Sequence, residues 1–312
     1  MRSTPVISRA LIWIVALMTI LPFLMALMTS FKTQMELFQG VFTLPASLNF
    51  KNYVTAWQQG HFNVYFLNSV LVVIPVVLFS VLLGILAGFG FAWLKIPGKK
   101  VIGAMLALGM VLPSEAFIIP LYHELRWMGL TNTYLALILP QIALSLPFTT
   151  LMIASAFQQV PKELVEAAVM DGASRVKILW GILVPAIWPT LSTLGLLLFI
   201  WTWNEFLIPL ILVNKDELRT LPIGMMFFQN KNTIDIPVLM AGAMIVIMPL
   251  IVVFLIFQRK FISGVTEGAV KYFVMSRTKR RTGGQTKVCR AVSCCNSSSS
   301  TLREMHDAPF PC

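Results

Sequence analysis

Few side chains here have chemistry to offer, and the densest group is Glu166-Ala167-Ala168-Val169-Met170-Asp171-Gly172, a polar insert between two strongly apolar stretches. Pro161 opens a helical pattern, with Glu163 and Glu166 near the positive end of the helix dipole. Glycine accepts a left-handed backbone angle without strain, so Asp171-Gly172 ends that helix. Residues 173–182, carrying Arg175 and Lys177, then restart as a second short one. Two alanines beside a glutamate, followed by a forced break, make a compact knob that suits a groove on another protein. A solvated connection between two helices is the plainer reading of the same residues.

A second group lies at Trp201, Trp203, Asn204 and Glu205. Flat indole faces and amide groups recognise sugars, and a carboxyl inside an apolar segment is costly unless it lines a cavity or is paired. Glu115 and Glu205 are the acidic residues in or near such segments. Hydrogen bonding between helices, or capping of a kink near Pro209, accounts for Asn204 and Glu205 equally well. A third group is the 214–235 segment, which mixes Lys215, Asp216, Glu217, Arg219, Lys231 and Asp235 with Phe227 and Phe228. Phe227, Phe228, Gln229 and Asn230 suit a contact that forms and releases, or a phenylalanine anchor at a membrane surface.

Other chemistry is missing from the sequence. Pro97-Gly98-Lys99 lacks the earlier glycine and the following hydroxyl of a phosphate-binding loop. His61, His123 and His306 are scattered, and Cys289, Cys294, Cys295 and Cys312 do not follow metal-ligand spacing. The chain is therefore expected to be no enzyme and to hold no metal, cofactor or nucleotide of its own.

The elements that must position these groups are membrane helices. Of the 312 residues, 57% are hydrophobic and 12% charged, too apolar for a soluble domain. Runs of about 20 apolar residues fall at 10–29, 68–93, 101–119, 134–156, 186–213 and 237–257, which predicts an all-α integral membrane protein with six transmembrane helices and kinks at Pro22, Pro75, Pro113, Pro140, Pro147 and Pro249. The first run is long for a signal core and lacks a small-residue cleavage site, so it is expected to be retained. The connections on the side of Glu166 carry eleven Lys and Arg, against six on the other side. By the positive-inside rule both termini and the 161–185 loop face the cytoplasm. Seven further basic residues lie after Phe273, so much of the formal +11 belongs to a tail and nucleic acid is not implied.

That tail, 273–312, is basic, Ser-rich and without an apolar period. It is expected to be disordered, with its thiols reduced in the cytoplasm, leaving 1–272 as the transmembrane domain.

The run Glu166-Ala167-Ala168, three residues, Gly172, then Ile182, Val184 and Pro185 resembles the coupling loop of inner-membrane permease subunits of ABC importers. The likeness extends, in order, over Ser30-Phe31-Lys32, Asn68-Ser69, Phe91 to Gly98, Pro120-Leu121-Tyr122, Gly129 to Thr133, Trp203 to Phe206, Thr220 to Gly224 and Gly264 to Lys271. The branch it is similar to is the carbohydrate-uptake family, maltose-type second permease. The resemblance implies an ABC importer permease fold and a translocation path shared with a second permease. It also implies a cytoplasmic ABC ATPase dimer that binds ATP and Mg, an extracytoplasmic solute-binding protein, a sugar, polyol or sugar phosphate as substrate, and a lipid-embedded place in the bacterial inner membrane. Glu166, Ala167, Ala168, Asp171 and Gly172 would then dock on the ATPase. In the maltose-type pair the partner permease would hold most substrate contacts, and the 273–312 tail is atypical of the family. The rival from another class is an ion-coupled secondary transporter, which would use a buried carboxylate such as Glu205 and show inverted repeats.

Overall fold

Residues 62–93 and 134–157 contain no charged side chain, and such runs in an apolar medium close their backbone hydrogen bonds on themselves as helix. A computed structural model describes residues 6–40, 42–228 and 235–258, and the regular elements among them are helical. In chain order these are α1 (Val6–Ser30), α2 (Gln34–Gln39), α3 (Lys51–Gln59), α4 (Phe62–Trp93) and α5 (Lys99–Val111). A 3-10 turn (Ser114–Phe117) leads to α6 (Ile118–Trp127), α7 (Tyr134–Phe157), α8 (Lys162–Met170) and α9 (Arg175–Ile178). A π turn (Leu179–Leu183), α10 (Val184–Ala186), α11 (Trp188–Trp203) and α12 (Leu207–Leu212) follow, then two 3-10 segments (Asp216–Leu218 and Leu221–Phe228) and α13 (Ile236–Gln258).

Four helices are long and apolar enough to cross a membrane unbroken: Arg9–Ser30 of α1, α4, α7 and α13. The expected spans 101–119 and 186–213 are not single helices. Lys99–Val111 meets Ser114–Trp127 at 95°, and Arg175–Ala186 meets Trp188–Trp203 at 76°. Six spans result only when each bent pair counts as one. At the first bend Pro113 pushes Leu112 to extended angles (φ −72°, ψ 132°), as a residue before proline prefers. Pro22, Pro75, Pro140 and Pro147 sit inside helices that run through them, so they do not end a helix as Pro113 does. The second pair breaks at Ile187, ahead of Pro189, and helix is lost again after Trp203.

The centre of the chain is the α4–α7 pair. Ser80, Gly84 and Gly88 lie on one face of α4 at four-residue spacing, where small residues let helices approach in a membrane. Ser80 and Ser145 hydroxyls hydrogen-bond at 2.7 Å, and a Cβ on Gly88 would come within 2.8 Å of Ile153 Cγ2. Around this seam Ile85, Ile153, Phe157, Leu183, Leu194 and Leu198 form a core shared by α4, α7, the π turn and α11. By contrast α5 buries no residue within the chain.

Candidate functional site

The 161–185 segment is built as a helix pair capped on both sides of the break between its two helices. Asp171 closes α8, and the N–H of Ala173 reaches Ala168 O (2.9 Å) while that of Gly172 reaches Val169 O (3.0 Å), the paired closure of a Schellman turn. Gly172 sits at φ +75°, as that turn requires. Ser174 then caps α9, its hydroxyl accepting the Lys177 N–H at 3.3 Å.

One side of this pair is seated inside the chain. Val165, Ile178 and Leu179 are buried in the core of α4, α7 and α11, with Ala168 and Ala173 packed against it. The small side chain of Ala168 therefore allows close approach to the chain's own interior; Ala167 beside it is exposed. On the other side Glu163, Glu166, Asp171 and Gly172 are exposed together with Leu164, Val169, Met170 and Val176, and Met170 is 87% exposed. Sequence reasoning passed over these apolar residues because each looks like a core position in an apolar chain. The available signal was their place among charges, next to the glycine that ends α8.

The second group is divided by the structure. A cavity of about 420 Å³, within the usual span of small-molecule pockets, lies between the first bend, α7 and the end of α11, and includes Trp201, Asn204 and Glu205 in its wall. Trp201 packs its ring edge-on to Phe148 at 5.0 Å, and Asn204 donates to Ile200 O at 2.8 Å. Glu205 Oε1 accepts the N–H groups of Leu207 and Ile208, both at 3.0 Å, and so starts α12. Trp203 is not in that wall. It is 2% exposed, stacks on Phe199, and donates its indole N–H to Val246 O of α13 at 3.0 Å. Residues two apart on a helix point to opposite sides, so Trp201 and Trp203 never share a face. Gln141 and Ser145 of α7 and Ser114 at the bend also line the cavity. Sequence reading missed them because tertiary packing alone brings them to residue 205.

The third group is divided in the same way. Phe228 is 3% exposed and edge-on to Phe62 at 5.9 Å. Phe227 lies between His61 and Tyr65, with the Arg219 guanidinium 5.9 Å from its ring centre. Both rings anchor the segment, while Lys215, Asp216 and Glu217 are exposed. Asn68 donates to Glu217 O (2.7 Å) and Arg219 O (2.9 Å) and accepts from Tyr134 Oη at 2.8 Å. Ser69 accepts the Leu221 N–H at 2.8 Å, and Asn132 Oδ1 accepts the Asn214 N–H at 2.7 Å. This loop is thus pinned at the start of α7, the opposite end of that helix from α8. Gln229 and Asn230, and the 273–312 tail, lie outside the described residues.

The family sequence model described as "Binding-protein-dependent transport system inner membrane component" matches residues 80–267. The chain belongs to this family. Among similar proteins is "Probable ABC transporter permease protein YurM" of Bacillus subtilis, 37% identical over 250 residues, covering 80% of this chain and 83% of the relative. The diacetylchitobiose uptake system permease protein NgcG of Streptomyces coelicolor is 32% identical, covering 86% of this chain and 90% of the relative. A trehalose/maltose transport system permease protein of Thermococcus litoralis is 33% identical, covering 83% and 94%. The fold matches that of a chain in a crystal structure of a bacterial ABC transporter involved in import of the acidic polysaccharide alginate, with TM-score 0.69, 24% identity and coverage of 82% of this chain and 95% of that one. This permease is therefore a multi-pass membrane subunit of an ABC importer, and the ion-coupled alternative is set aside.

Proposed function

We propose that this permease forms half of the path of a carbohydrate importer and is driven through its α8–α9 element by a separate ATPase that binds ATP and Mg. What supports this most directly is the two-sided seating of that element. Glu166, Met170 and Val176 are free for a partner, while Val165, Ile178 and Leu179 are locked into a core that includes Leu198. Leu198 and the adjoining Phe148 also wall the cavity. A pull on α8–α9 would therefore press on residues that shape the cavity, which carries Trp201, Asn204 and Glu205 as the substrate-path candidates. The proposed ATPase-docking residues are Glu166, Ala167, Asp171 and Gly172, joined by Leu164, Val169, Met170 and Val176, with Ala168 serving the inward face.

A carbohydrate fits the exposed indole and amides of that wall, and the named relatives carry diacetylchitobiose and trehalose or maltose. The apolar faces of α1 and α5 would be covered by a second permease and by lipid. Both termini and α8–α9 would face the cytoplasm, placing the 214–235 loop, with Lys215 to Glu217 and Gln229 and Asn230, toward an extracytoplasmic solute-binding protein. Residues 1–272 would be the transport domain and 273–312 an appended tail.

The test uses the full chain co-expressed with its partner subunits. Glu166→Lys and Gly172→Pro are expected to reach the membrane at normal levels and to lose ATP-dependent sugar uptake, because a lost charge-assisted hydrogen bond costs about 1.5–3 kcal/mol and proline cannot adopt a positive φ. Normal uptake by both variants would overturn the docking assignment. Thermal-shift screening of the solute-binding protein against neutral and acidic sugars would identify the substrate.

A further inference from the structure

We infer that Glu205 makes the cavity a charge filter, which passes uncharged sugars and retards anionic ones such as sugar phosphates, uronates and sulfonated sugars. The inference rests on the proposed reading of the cavity as part of the path. Among the described residues that line it, Glu205 is the single charged side chain; its polar companions Ser114, Gln141, Ser145, Thr202 and Asn204 are neutral. No Lys or Arg occurs between residues 101 and 125, 134 and 157, or 188 and 212, so the segments that supply the wall bring no lysine or arginine with which to meet an anionic group.

The local geometry also removes the usual substitute for a cation. Backbone N–H groups at a helix start attract anions, but here those of Leu207 and Ile208 are both taken by Glu205 Oε1 at 3.0 Å. The same bonds hold the carboxylate at the wall, and Oε2 has no protein partner among the described residues. Leu144, Phe148 and Leu198 supply low-dielectric walls, which strengthen the field of a fixed charge at the cavity. What remains to recognise a substrate is the half-exposed Trp201 face and the amides of Gln141 and Asn204, chemistry suited to a hydroxyl-rich neutral ring.

The experiment measures charge selectivity without knowledge of the natural sugar. In the full chain, assembled with its partner subunits in membrane vesicles, the four cysteines at 289, 294, 295 and 312 are replaced by serine. A reporter is introduced as Ser145→Cys or, separately, Thr202→Cys. Labelling rates are then taken with methanethiosulfonate reagents bearing a hydroxyethyl (neutral), a trimethylammonium (cationic) or a sulfonate (anionic) group, each divided by its rate with a free thiol in water.

The anionic reagent is expected to lag the neutral one by about fivefold, and the cationic reagent to lead it, the size expected for one unit charge a few ångströms away in a wet cavity. Glu205→Gln keeps an oxygen to cap α12 and should erase the lag; Glu205→Asp should retain it. Labelling by all three reagents with no anionic lag, or with a lag unchanged in Glu205→Gln, overturns the filter while leaving the cavity as a water-filled path. If no reagent reacts at either position in any nucleotide state, the path reading fails and takes the filter with it.

Discussion

Trp201 and Trp203 are two residues apart, yet one faces a cavity and the other a core. Truncating Trp203 removes a buried ring stacked on Phe199 and leaves Val246 O without its indole donor. Trp203→Ala is expected to destabilise the protein by about 3–5 kcal/mol, read as an earlier thermal unfolding transition in detergent. Trp201→Ala, by contrast, should unfold near the parent temperature and slow sugar uptake. Equal losses of thermal stability in the two variants would contradict the division made between them. Glu205 combines two roles at this scale: it satisfies two helix-start donors, and it leaves one oxygen at the cavity.

At the scale of elements, the seam between α4 and α7 depends on the missing side chains of Gly84 and Gly88. Gly88→Leu would drive carbon atoms into Ile153 and the backbone of Ala154, and overpacking of this kind costs about 1–3 kcal/mol. Gly181→Ala, at a position with nothing within 4 Å of the new Cβ, should be close to neutral in the same melting assay. The pinned 214–221 loop offers a second test. Asn68→Ala strips two donors from Glu217 O and Arg219 O, so backbone amides there should exchange hydrogen faster while those of α7 do not change. A loop of unaltered exchange would mean that Ser69 and Asn132 hold it without Asn68.

For the whole molecule, the structure puts α8–α9 and the 214–221 loop at opposite ends of α7, with the cavity between bent spans. If these ends meet different partners, cysteine at Lys215 or Asp216 should cross-link to the solute-binding protein and cysteine at Met170 to the ATPase, never the reverse. A reversed pattern would invert the proposed orientation. Deletion of 273–312 should leave uptake and membrane level unchanged, since those residues add no apolar face; lost uptake at a normal level would give the tail a role.

The sequence by itself determined the membrane class, the helical fold, the Asp171-Gly172 break and the family, because each of these depends on local composition or on spacing along the chain. Uncharged apolar runs demand helix in a bilayer, and a glycine at a helix end has the same meaning wherever the helix sits. Tertiary structure alone decided which side chains share a space. Trp203 and Phe228 are chemically apt for binding, and they were absorbed by the core, with Phe227 packed half-buried against it, because helix faces and neighbours, not residue types, set exposure. It also decided that Pro113 ends a helix while Pro75 and Pro140 do not, since proline's lost hydrogen bond is tolerated where the packed surroundings hold the helix together. The cavity itself joins Ser114, Gln141, Ser145 and Glu205, which stand far apart in the chain and meet only when the bent spans fold against α7.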